Sequence, residues 1–118
     1  MADTLPELAR AVLAFRDERN WAQFHGLKHL VVSLCLEAGE VLELTQWKND
    51  AEVDALPLSP EGHEALSDEC ADVLAYLLLI AEKAHIDLGT ALRRKLAKNA
   101  LKYPVEKSHG RREKYSRL

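Results

Sequence analysis

An all-α fold, a four-helix bundle, is predicted by three features of the sequence. Apolar residues recur at helical spacing in four separate stretches; each stretch is opened by a capping residue or closed by a helix breaker; and no β-branched alternating run of the strand-forming kind occurs. No internal period suggests a solenoid. At 118 residues the chain fits one domain, 1–118, just large enough to bury a core alone. With 47% apolar and 30% charged residues it has the balance of a folded globular protein rather than a disordered one.

The elements follow in order. Thr4 is placed to cap a first helix with Pro6 in its first turn, and Leu8, Val12 and Phe15 carry the period to about Arg19. Asn20 to Gly26 breaks the pattern. A second helix then runs to about Trp47 on Leu27, Leu30, Val31, Leu34, Ala38, Val41 and Leu42. Asn49 to Pro60 holds two prolines and no helical period, which predicts a loop. Ser59-Pro60 opens a third helix to about Ala84 with a wide apolar face: Leu66, Cys70, Val73, Leu74, Leu77, Leu78 and Ala81. Asp87 caps a fourth, through Leu88, Ala91, Leu92, Leu96 and Asn99, which Pro104 forbids from continuing. From about residue 105 the chain is a locally basic tail, with Lys107, Arg111, Arg112, Lys114 and Arg117 against Glu106 and Glu113. A solvated, poorly ordered end is one reading of it, because chain termini are often loose.

Charge and cysteine usage narrow the function. A formal charge of −3 offers no general attraction for a nucleic-acid polymer, and no apolar run approaches membrane-spanning length, so neither partner is expected. The N-terminal "MADTLPELAR" lacks the basic-then-apolar pattern of a leader. Cys35 and Cys70 lie in apolar helical runs without zinc spacing, and are expected to be buried free thiols in a reducing cytoplasm. The third helix offers more apolar surface than three neighbours can cover, which predicts a homo-oligomer.

The oddity is acidic. Glu37 and Glu40 stand three apart on the second helix, and Glu69 and Asp72 three apart on the third. Residues so spaced lie about 60° apart on a helix, so each pair occupies one edge beside an apolar stripe. If the helices are antiparallel neighbours, the two edges face each other, and four carboxylates together repel unless a cation sits among them. Oxygen-only ligands suit Mg²⁺, with Mn²⁺ possible, and such ions accept phosphate oxygens as further ligands. A di-iron centre would need Glu-x-x-His, and neither Glu37 nor Glu69 has a histidine at the third position. Glu43 falls on the more exposed side and is left out of the set.

These residues resemble the all-α nucleoside triphosphate pyrophosphohydrolases of the MazG-like group, and are similar to its compact dCTP pyrophosphatase branch. "EAGE" (Glu37 to Glu40) and "ECAD" (Glu69 to Asp72) match the two acidic motifs. The flanking words match as well: "WAQFH" from Trp21, "QWK" from Gln46, "DVLAYLL" from Asp72, and Lys95, Asn99, Tyr103 and Pro104 at their spacing. The likeness covers about residues 5 to 118. Two positions depart from the pattern. Leu36 stands where many of the group double the first glutamate, and Val12 stands where some of the dCTP branch place a histidine facing the base.

The resemblance implies cleavage of a nucleoside triphosphate between the α and β phosphates, giving monophosphate and pyrophosphate with Mg²⁺. A house-cleaning role towards dCTP or modified pyrimidine deoxynucleotides follows from it. Glu37, Glu40, Glu69 and Asp72 would hold the metal and carry catalysis, with Glu40 the favoured base. Trp21, His25 and Trp47 are candidates for holding the base, Tyr76 for the sugar, and Lys95 and Asn99 for the phosphates, with Lys28, Lys102 and Tyr103 weaker. A dimer or a tetramer of two dimers is implied. The competing reading is a non-catalytic helical module that binds nucleotides or regulates through oligomerisation.

Overall fold

The computed structural model describes residues 2–117, and among them every regular element is helical. They form two compact units, Met1–His85 and Ile86–Leu118. The first contains α1 (Leu5–Glu18), α2 (Leu27–Glu43), a short α3 (Asp50–Ala55) and the long α4 (Pro60–Lys83). The second contains α5 (Leu88–Lys102) and a single turn, α6 (Val105–Ser108).

The expected caps are in place. Thr4 Oγ1 accepts from the Glu7 amide at 3.3 Å, Ser59 Oγ from the Gly62 amide at 3.0 Å, and Asp87 Oδ1 from the Thr90 amide at 3.0 Å. Each satisfies one of the amides that a helix start leaves without a partner. Three exits from helices use a non-glycine residue in the left-handed region: Asn20 (φ 54°) after α1, Trp47 (φ 63°) beyond α2 and His85 (φ 56°) after α4. Asparagine tolerates that conformation; tryptophan is an unusual occupant.

The stretch expected to be a loop, Asn49 to Pro60, instead contains α3 and a 3-10 turn at Leu56–Leu58. The reason is a reciprocal cap. Asn49 Oδ1 accepts from the Glu52 amide at 2.9 Å, while Glu52 Oε1 accepts from the Asn49 amide at 3.2 Å, and this suffices to hold six residues helical. The basic tail is also ordered within its unit. The Tyr103 and Tyr115 rings meet edge to face at 6.1 Å, and Lys102 Nζ lies 5.1 Å from the Tyr115 ring centre.

In the first unit α4 packs along both α2 and α1. Its buried apolar core is small: Leu30 of α2, with 1% of its surface exposed, and Leu78, Leu79 and Ala81 of α4. On α2 the half-buried Leu34, Glu37 and Val41, continued by Leu44 at its C-cap, form one stripe in line with Leu30. On the opposite side Val32, Cys35, Leu36 and Leu42 form a second apolar stripe that is exposed, Leu36 to 65%. This corrects the expectation for the thiols: Cys35 and Cys70 are both exposed in the chain. Helical spacing placed them among apolar residues but could not say which apolar face turns inward. Among the described residues no helix is long and apolar enough to cross a membrane.

The start of α4 depends on Gly62, which is buried. A Cβ there would collide with the Leu56 carbonyl oxygen and lie 2.9 Å from Ser59 Oγ. The first obstacle is backbone and can yield only if the 3-10 turn moves. Gly62→Ala is therefore expected to cost about 1–3 kcal/mol, seen as a lower thermal midpoint; a midpoint equal to or above the parent's would show that this turn yields freely.

Candidate active site

Helices α2 and α4 run antiparallel. Leu30 and Leu79 wall one cavity, while Glu37 and Glu40 meet Glu69 and Asp72 farther along the same pair. The helical spacing thus delivers what the sequence predicts: one oxygen from each of the four carboxylates, all within 4.8 Å of one another. Among the described residues no Lys, Arg or His forms an ion pair with any of them. Glu43 is exposed and outside the cluster.

Two of these groups carry the strain of the arrangement. Glu37 Oε2 and Glu69 Oε2 are shut off from solvent with no hydrogen-bond partner. The pKa of Glu69 is pushed up to about 7, first by its contact with Glu40, then by burial and by the charges of Glu40, Asp72 and Glu37. Glu37 is also raised, first by burial and then by Glu40 and Asp72. A proton relieves this crowding at low pH, and a divalent cation would relieve it at neutral pH. Four carboxylates, two with orphaned oxygens, are the donor set that a hard cation such as Mg²⁺ takes; Glu37, Glu40, Glu69 and Asp72 fit such an ion.

Beside Asp72 lies a cavity of about 170 Å³ between α1 and α4. Val12, Phe15, Trp21, Ala75, Tyr76 and Leu79 make it largely apolar, and Arg16 and His25 add polar groups. Phe15 and Trp21 meet edge to face at 5.9 Å, which fixes the indole at the rim. His25 Nδ1 is buried without a partner. The His25 pKa is lowered by burial first, then by His29, whose ring stacks 6.1 Å away, and by Arg16. A second cavity of about 330 Å³ shares Arg16, His25 and Leu79 as a wall and adds Glu82, Lys83 and His85.

The structure therefore gathers Trp21, His25 and Tyr76 with Asp72 around one hollow, and Val12 lines it too. Trp47 is not among them: it is 97% exposed beyond the end of α2. Lys95 and Asn99 lie on α5 and Tyr103 at its C-cap, all in the second unit. Arg16 and Phe15 are lining residues that the sequence reading passes over. The signal was present, because Arg16 follows Val12 by one helical turn and so shares its face.

The sequence profile of the MazG-like family matches residues 32–118. dCTP pyrophosphatase 1 of Rattus norvegicus is 41% identical over 115 residues, spanning 98% of this chain and 68% of that protein. The human protein of the same name is 37% identical over the same shares. A pyrophosphatase from Archaeoglobus fulgidus superposes with a TM-score of 0.78 at 37% identity, over 88% of this chain and 95% of that one. This chain belongs to the MazG-like family.

The raised pKa of Glu69 has a sign that can be checked. Between its ordinary value of 4.5 and about 7 the folded chain keeps a proton that the unfolded chain releases. Stability in EDTA is thus expected to fall as pH rises through that window and to level off above it. Thermal midpoints across pH should show this slope, and Glu69→Gln should flatten it. A parent protein whose midpoint stays level or rises there would contradict the crowding described for the cluster.

Proposed function

We propose that this chain is a nucleoside triphosphate pyrophosphohydrolase, cleaving between the α and β phosphates to release a monophosphate and pyrophosphate. The observation that carries the reading is the carboxylate cluster opening beside a small aromatic-rimmed cavity, in a chain of the MazG-like family. A cavity this size takes one flat base, and the cluster beside it suits the triphosphate end. dCTP or a modified pyrimidine deoxynucleotide is the substrate we assign, in keeping with the name of the curated relatives. House-cleaning of the nucleotide pool is the corresponding role.

Mg²⁺, or Mn²⁺ in its place, held by Glu37, Glu40, Glu69 and Asp72, would supply neutralisation of phosphate charge and a lowered water pKa. The chain's own groups do the rest. Glu40 faces solvent and touches both Glu37 and Glu69, and we assign it the proton of the attacking water. Trp21 offers its face to the base, and the apolar walls exclude water from it. Tyr76, one turn after Asp72, is placed for the sugar. The roles of Lys95, Asn99 and Tyr103 towards phosphate rest on the sequence resemblance and on their spacing along α5. Trp47, an indole left in water in a left-handed backbone, fits service at the site of a second copy.

That second copy is part of the proposal. The outward stripe of α2, Val32, Cys35, Leu36 and Leu42, leaves an apolar helix face in water beside a core of few residues. A homo-oligomer, a dimer or a pair of dimers, covers it. Exposed unpaired thiols at Cys35 and Cys70 suit a reducing compartment, and we place the protein in the cytoplasm.

Two experiments test this. Pyrophosphate release from a panel of nucleoside triphosphates, with Mg²⁺ and with EDTA, should be selective and metal-dependent. Glu40→Gln and Asp72→Asn should each lower turnover at least ~100-fold while the fold is kept; no release from any substrate by the folded parent would favour a non-catalytic nucleotide-binding module. In light scattering, Leu36→Glu should shift the mass towards the monomer, and a monomeric parent would remove the oligomer from the proposal.

A further inference from the structure

Arg16 is the one cation in the wall of the small cavity. Its side chain is only 17% exposed, and two acidic partners hold it: Nε donates to Asp17 Oδ1 at 2.8 Å and one terminal nitrogen donates to Glu82 Oε2 at 3.3 Å. A guanidinium has five N–H groups and no acceptor. Two are used in these bonds, and the other three have no hydrogen-bond partner among the described residues. A cation anchored from behind by α4, with unused donors beside an apolar hollow, is built to meet an acceptor that arrives with a ligand.

Its place along the cavity says which part of a ligand it meets. Asp72 belongs to the carboxylate cluster, and Glu82, which holds Arg16, lies ten residues later on α4, about 15 Å along the helix. A nucleotide whose phosphates lie towards Asp72 therefore turns the far edge of its base towards Arg16 and His25. Resting on the reading of this site as a nucleotide pyrophosphohydrolase, we propose that Arg16 is its base-specificity residue: the donor-only guanidinium selects cytosine, which presents two adjacent acceptors, N3 and O2, over uracil, whose N3–H is a donor. With uracil, two donors would face each other in a cavity with little water to intervene, and both would go unpaired. His25 is complementary. In the tautomer protonated on Nε2, its unpartnered Nδ1 accepts from the 4-amino group that cytosine has and uracil lacks.

The test compares kcat/KM for dCTP and dUTP, which differ only at the base edge, in the parent, Arg16→Ala and Arg16→Gln. The parent should prefer dCTP. Arg16→Ala should lower the dCTP value by about 10- to 100-fold, chiefly through KM, and change dUTP far less. Arg16→Gln, whose carboxamide oxygen accepts from N3–H, should narrow the ratio by raising dUTP. A merely structural role for Arg16 lowers both substrates by one factor, so an unchanged ratio in variants that still turn over would overturn the assignment while leaving the pyrophosphohydrolase reading intact. A parent that releases pyrophosphate from no nucleotide would overturn both.

Discussion

The mutual repulsion of four carboxylates held within 4.8 Å is the constraint on which the rest of the first unit depends. Like charges at that separation drive α2 and α4 apart, and the described residues provide no cationic side chain to offset them. What holds the helices together is the apolar packing farther along the same pair, where Leu30 of α2 and Leu78, Leu79 and Ala81 of α4 are buried. The packed end of the helix pair acts as a clamp, and the acidic end is held half open beside it. Burial and site thus occupy successive stretches of the same two helices, and neither can be shifted along its axis without the other.

Helix α4 links the chemistry to recognition in the same way. Asp72 serves the cluster, Tyr76 and Leu79 line the hollow, and Glu82 holds the guanidinium at its far end, all within three turns of one helix. Because the rise between these positions is fixed, on the proposed reading the distance between the charged end of a nucleotide and its base edge is measured by a rigid element rather than by loops. The apolar walls contribute further, since polar contacts made among apolar side chains are stronger than the same contacts in solvent.

Much of this was legible in the sequence because it depends on spacing alone. Three-residue separations place Glu37 with Glu40 and Glu69 with Asp72, and Thr4, Ser59 and Asp87 mark helix starts by chemistry that is local. What spacing does not encode is which of two apolar faces finds a partner in its own chain. Cys35 and Leu42 read as core for that reason, and the structure turns them outward. Arg16 was missed because an arginine on an amphipathic helix ordinarily belongs to water, and only the acidic group brought in by α4 reveals that it does not. Helix α3 was missed because two prolines outweighed the Asn49 and Glu52 pair, a local signal that was there to be used.

Trp47, beyond the end of α2, sits in a conformation that glycine or asparagine would adopt with less backbone strain. Local folding gains nothing from the indole, which touches little of its own chain at 97% exposure. Sequence drift at this position is therefore pulled towards the smaller residues by stability alone. A lineage that keeps tryptophan there does so against that pull, and the persistence or loss of this one side chain among descendants becomes a record of whether selection acts on something beyond the isolated fold.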